Sequence, residues 1–160
     1  AYFNDRLGPF LEQLCKLTGL DAALPMNTGA EAVETAVKAA RRWGYRVKGI
    51  PAGHAEIVVA RGNFHGRSST VVGFSTEPGY RADFGPFAPG FRHFDFGEIA
   101  SLEAAITDTT CAVLIEPSPN GSKPPHSATP PSGAKVSSSK RDRRTLLSWF
   151  SSCWLVPYCA

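Results

Sequence analysis

Three places in this chain combine residue types and spacings that could bind or move charge. The first is Thr28-Gly29-Ala30-Glu31, at the head of an alanine-rich helical pattern. A threonine followed three residues later by a glutamate is a capping-box signature, so a helix is predicted over 30–48 with Thr28 as its cap. Gly29 and Ala30 have side chains too small to cover the backbone N–H groups of the first turn. Those groups carry the positive end of the helix dipole, and a phosphate could rest on them; a capped helix with nothing bound satisfies the same residues. The stretch is not a dinucleotide fingerprint, because G-x-G-x-x-G is absent, and not a P-loop, because no G-K-[ST] follows.

The second place is "GNFHGRSS", residues 62–69, directly after a short apolar run. Phe64 offers a flat apolar face, Gly66 permits a tight turn, and Arg67 offers a fork for a carboxylate. His65 could carry a proton, although a single histidine beside a glycine more often serves packing or sits at the surface. Phe64 as a core aromatic and Arg67 as a solvated charge are the plainer alternatives. The third place is Glu116, which closes another apolar run before Pro117. Its plain alternative is a loop carboxylate paired with a nearby base.

Such groups meet only if the elements behind them fit together. Phe3, Leu7, Phe10, Leu11, Leu14 and Leu17 recur at helical spacing, with Gly19 as a stop. In the 30–48 helix, Ala32, Val33, Ala36, Val37, Ala40 and Trp43 form the apolar stripe. Residues 55–61, 90–98 and 111–117 read as strands, and 98–106 as a helix. Alternating helix and strand predict an α/β fold with a mostly parallel sheet. In open α/β sheets ligands gather where strands end, which is where 62–69 and Glu116 lie.

Composition changes sharply after Pro117. Residues 118–145 are rich in Ser, Pro, Lys and Arg and cannot bury enough apolar surface to offset chain entropy, so a disordered tail is expected from 118 to 160. Residues 146–160 are apolar and aromatic but too short to cross a bilayer, and no 18-residue apolar run occurs anywhere. A net charge of +3 is too small to argue for nucleic acid. The basic run 135–144 reads as a solvated tail more readily than as an anionic-surface binder. Cys15, Cys111, Cys153 and Cys159 match no zinc or CxxC spacing and are expected to be free thiols; no metal site is expected. No basic-then-apolar leader precedes Ala1, and the lack of an initiator methionine suggests residues missing in front.

Four stretches carry a resemblance: "PMNTGAEAVETAVKAARRWGY", "GNFHGRS", "FGPFAPGF" and "VLIEP". In this order and at these separations they resemble the class III, pyridoxal-phosphate-dependent aminotransferases of fold type I, and within them the ornithine branch more than the acetylornithine or 4-aminobutyrate branches. The resemblance covers 1–117 and implies a fragment of the cofactor-binding large domain, with pyridoxal 5'-phosphate as cofactor. It implies that Gly29 and Ala30, with Thr28 at the same turn, hold the cofactor phosphate, and that Phe64 stacks on the cofactor ring. Arg67 is implied to grip a substrate carboxylate, and Glu116 to lie near substrate and cofactor. Gly29, Ala30, Phe64 and Arg67 are therefore expected to converge on one concave site.

The implied reaction moves the δ-amino group of ornithine to 2-oxoglutarate, giving glutamate semialdehyde and glutamate, with no nucleic-acid or membrane partner. The family is homodimeric and occurs in cytosol and in mitochondria, and this sequence does not choose between them. After Glu116-Pro117 the family's continuation is replaced by "SPNGSKPPHS", as a shifted reading frame or an alternative exon would give. The family's cofactor-anchoring lysine and ring-nitrogen aspartate find no matching context here. No catalytic residue is assigned, and the chain alone is expected to be an inactive fragment.

Overall fold

Glu56–Ala60 (β1) is an inner strand of the sheet, and its apolar side chains point alternately to two covered faces. The computed structural model describes residues 4–116, together with the backbone of 147–149 and 153–157. Before β1 come α1 (Leu7–Thr18) and α2 (Gly29–Arg46). After it come α3 (Ser69–Gly73), α4 (Pro78–Arg81), β2 (Phe91–Phe94), α5 (Ile99–Ala105) and β3 (Thr110–Ile115). Two further strands, β4 (Leu147–Trp149) and β5 (Cys153–Pro157), complete a sheet of order β2-β1-β3-β5-β4.

β2 and β3 both run parallel to β1, with Val59 opposite His93 on one side and Leu114 on the other. The helical crossovers between them enforce that direction. Ile57 and Val59 pack with Val33, Val37 and Ala40 of α2 and with Val71 and Phe74. Val58 and Ala60 face the other way, onto Phe94 and Ala105. The result is three layers, with α2 and α3 on one face and α5 on the other. Gly44 is what lets α2 come so close: a Cβ there would sit 2.7 Å from Cys111 Cβ and 3.2 Å from Ile50 Cδ1.

The elements agree with the sequence reading at β1, β2, β3, α2 and α5, with ends shifted by a residue or a few. α1 starts later than the apolar spacing suggested, at Leu7, and ends at Gly19 in a left-handed conformation, φ 72°. Phe3 lies outside the described residues. The short helices α3 and α4 had no periodic signal and were not anticipated.

β5 pairs antiparallel with β3 and β4 antiparallel with β5, beside the parallel pairs that β1 makes with β2 and β3. The expectation of a disordered tail over 118–160 does not extend to these two stretches. The narrower expectation that 118–145 forms no helix or strand lies outside the described residues.

Candidate functional site

Parallel pairing decides where the candidate residues meet. β1 and β3 lie side by side and point the same way, so the loop after Ala60 and the residue after Ile115 emerge at one edge of the sheet. There, Glu116 is buried and its Oε1 accepts the backbone N–H of Phe64 at 2.8 Å. Burial pushes the Glu116 carboxyl above its ordinary range, while the Phe64 N–H pulls the other way. One oxygen of the carboxylate thus anchors the loop, a task that the sequence reading had not given it.

The head of α2 reaches the same edge. Thr28 is extended (φ −142°, ψ 160°) and its Oγ1 accepts Glu31 N–H at 3.1 Å, as the capping box requires. Glu31 returns the bond one residue earlier than expected, to the N–H of Asn27 at 3.0 Å. Thr28 O takes Ala32 N–H at 3.1 Å. The N–H groups of Gly29 and Ala30 remain as first-turn donors that neither the cap nor the helix engages. Gly29 is exposed and Ala30 half-buried.

The small side chains at this helix head also serve a packing need. Gly66 lies directly beside Ala30: a Cβ built on Gly66 would be 3.5 Å from Ala30 Cβ. At φ 125° Gly66 also holds a backbone conformation that side-chain-bearing residues rarely adopt. The 62–69 loop therefore rests on the first turn of α2 through two of the smallest residues.

Within that loop the side chains sort by direction. Asn63 and His65 are buried, whereas Phe64 and Arg67 are exposed, Phe64 to 44%. Asn63 Nδ2 donates to Ala60 O at 2.6 Å, fixing the turn off β1. The His65 ring sits 5.8 Å from that of Phe74, and burial pushes its pKa down to about 4. It is neutral at ordinary pH and packs inward, so the structure favours packing over proton transfer.

The Arg67 guanidinium carbon lies 5.9 Å from the Phe64 ring centroid and 5.8 Å from that of Tyr80. These two rings meet edge to face at 6.0 Å. Flat cation against aromatic faces leaves the guanidinium N–H fork free to point outward. Arg67 borders a cleft of about 420 Å³, lined further by Ser69, Val72, Gly79, Tyr80 and Phe84. Tyr80 was not among the sequence candidates; it follows Pro78-Gly79 in a stretch that reads only as a turn.

The structure thus brings Gly29, Ala30, Phe64, Arg67 and Glu116 to one edge through direct contacts or a single intervening residue, with Thr28 capping the helix whose head lies there. Two free backbone donors at a positive helix end suit a phosphate, and the half-exposed Phe64 face suits a planar ring. The residues present therefore fit the phosphate and the ring of the cofactor that the resemblance implies. No cluster of metal-ligating side chains occurs among the described residues, and no helix among them is long and apolar enough to cross a membrane.

Comparison with known proteins points to one family. A family model for aminotransferase class III matches residues 1–127, past the 117 at which the sequence resemblance fades. An ornithine aminotransferase from Bordetella pertussis is 56% identical over 117 residues, covering 73% of this chain and 28% of that protein. A crystal structure of an ornithine aminotransferase from Toxoplasma gondii superposes with a TM-score of 0.67 at 40% identity, covering 70% of this chain and 27% of the other. An acetylornithine aminotransferase from Elizabethkingia anophelis gives 0.51 at 44% identity, covering 70% of this chain and 27% of the other. The chain spans well under a third of the length of these relatives.

Proposed function

The chain belongs to the class III aminotransferases, and we propose that residues 4–116 are the part of an ornithine aminotransferase that seats pyridoxal 5'-phosphate and receives a substrate carboxylate. The observation that carries this reading is the pair of free N–H donors at Gly29 and Ala30, set directly beside the loop that bears Phe64 and Arg67. In this reading Gly29 and Ala30 N–H donate to the cofactor phosphate, at the helix end where negative charge is stabilised. Phe64 packs against the cofactor ring. Arg67 receives the carboxylate of the amino acid or 2-oxo acid in its fork. Glu116 holds Phe64 at its height by taking the Phe64 N–H. The bound cofactor supplies the electron sink on which amino-group transfer depends.

Ornithine as the donor is supported by the 56% identity to ornithine aminotransferases. The 160 residues alone are proposed to bind the cofactor weakly and not to turn over, since the cofactor-anchoring lysine has no matched position in them.

Gly29→Pro tests the phosphate seat cleanly. Proline is favoured at the first helical position, and the extended Thr28 before it is compatible, so the helix keeps its cap and loses one donor. Affinity for pyridoxal 5'-phosphate, followed by its absorbance in equilibrium dialysis, should fall by about tenfold, the size of one lost charge-assisted bond. Affinity for pyridoxal should not change. Equal loss for both would mean that the phosphate sits elsewhere. Donor choice is read by exchanging residues 4–116 into the Bordetella pertussis relative. The exchanged enzyme should form glutamate semialdehyde from ornithine and 2-oxoglutarate in preference to using acetylornithine or 4-aminobutyrate; a reversed preference would defeat the ornithine assignment.

A further inference from the structure

Ser68 stands at the N-cap position of α3 with the extended backbone of a capping residue (φ −68°, ψ 160°), yet its side chain makes no capping bond. Serine at that position ordinarily turns its hydroxyl back onto the helix it begins. Here the hydroxyl instead donates to Glu34 Oε1 of α2, 2.5 Å away and 34 positions earlier in the chain. A five-residue helix thus goes without a cap so that the loop before it can be tied to α2. Both partners are half-buried, which shields this charge-assisted bond from water.

The tie completes a pattern. Asn63 is fixed to Ala60 O, Phe64 N–H to Glu116, Gly66 rests on Ala30, and Ser68 is fixed to Glu34. Arg67 lies between the last two, one residue from each. Its side chain is exposed and, among the described residues, is held by the faces of Phe64 and Tyr80, which set its distance but not its direction along the cleft. The direction comes from the backbone on which it stands, and Ser68 fixes that backbone on its free side.

We propose that Glu34, acting through the Ser68 hydroxyl, is a positioning residue that aims the Arg67 fork at the substrate carboxylate, next to the phosphate seat at the head of the same helix. The inference rests on the reading of Arg67 given above. It makes α2 a common ruler: its first turn holds the phosphate, and its Glu34 sets where the carboxylate is received. The distance between those two ends of a cofactor-bound substrate is then fixed by one rigid element rather than by a loop.

The test uses the whole 160-residue chain and 2-oxoglutarate as the probe. Arg67 is modified with phenylglyoxal, an arginine-selective reagent, and its rate is followed by peptide mass spectrometry with increasing 2-oxoglutarate. In the unaltered chain 2-oxoglutarate should slow Arg67 modification saturably. In Ser68→Ala and Glu34→Ala the concentration giving half-protection should rise by about tenfold. Ser68→Thr, which keeps the hydroxyl, should restore it. Protection of the Gly29 and Ala30 amides from hydrogen exchange by inorganic phosphate should stay the same in all variants, which a general loosening of the fold would not allow. Equal half-protection in all variants overturns the positioning inference while leaving Arg67 as the carboxylate group. A Ser68→Thr variant as impaired as Ser68→Ala overturns it too. If 2-oxoglutarate fails to protect Arg67 in the unaltered chain, the reading of Arg67 fails and the inference falls with it.

Discussion

Helices α1 and α2 read alike in the sequence and end in opposite circumstances. Each has apolar residues at helical spacing, charges on the other face and a recognisable end. Yet α2 buries Val33, Val37 and Ala40 against the sheet, whereas no residue of α1 is buried and Leu17 is 83% exposed. Their heads differ too: Thr28 caps α2 through its side chain, and Arg6 gives α1 no such bond. The lesson is that periodicity specifies a helix and its apolar face, not whether anything covers that face. Helices in proteins owe most of their stability to packing of the apolar face, so α2 draws on the sheet, while the described residues offer the twelve-residue α1 little of that support.

The largest effect that can separate the two is a core truncation. Val37 is 2% exposed and packs with Ile57, Val59 and Leu114. Val37→Ala should cost about 2–3 kcal/mol in urea unfolding, from lost burial plus an unfilled gap. Leu17→Ala in α1 should change stability by less than about 0.5 kcal/mol. Similar losses at both sites would mean that α1 is covered in solution.

Acid should act on the side of α2. His65 lies under that side, against Phe74 of the same cluster as Val37, with a folded pKa near 4 against an ordinary 6.5. Between those values the unfolded chain holds more protons than the folded one. The contribution of His65 is therefore intact above pH 6.5 and is lost as pH falls toward 4, by about 2–3 kcal/mol. Urea unfolding at pH 7 and pH 4.5 should show His65→Gln losing less on acidification than the unaltered chain; the same loss in both would place the acid sensitivity elsewhere.

Gly44 sharpens the contrast in another way. Helix preference alone favours Gly44→Ala by about 1 kcal/mol. Packing opposes it, because the new Cβ would stand 2.7 Å from Cys111 Cβ. The net should be a loss of about 1–3 kcal/mol, against a change below about 0.5 kcal/mol for Gln13→Ala on the exposed face of α1. A gain at Gly44 would show that α2 can back away from the sheet.

The smallest effect lies at the helix heads. Thr28→Ala should cost about 1 kcal/mol through loss of the bond to Glu31 N–H, while Arg6→Ser should gain no more than about that at the uncapped head of α1. Circular dichroism through the unfolding transition reads both. An unchanged Thr28→Ala variant would mean that Glu31 alone holds the turn.

The sequence by itself determined a good deal. The T-x-x-E pattern gave α2 its start, β-branched runs gave β1 and β3, and Gly19 gave α1 its end, because capping, β-propensity and left-handed φ are local properties. The candidate residues Thr28, Gly29, Ala30, Phe64, Arg67 and Glu116 were legible as chemistry, and the class III resemblance joined them. The short helices α3 and α4 stayed hidden because they are too brief to show a period. The tie from Ser68 to Glu34 spans 34 positions, the anchor from Phe64 to Glu116 spans 52, and the contact of Gly66 with Ala30 joins two separate elements. Only the parallel pairing of β1 with β3, and the packing of α2 across them, brings those groups within bonding distance. Local rules fix which backbone forms; distance between remote residues is fixed by how the layers stack. That is why His65 turned out to be a neutral core group, Glu116 a loop anchor, and the apolar stripe of α1 a face without cover among the described residues.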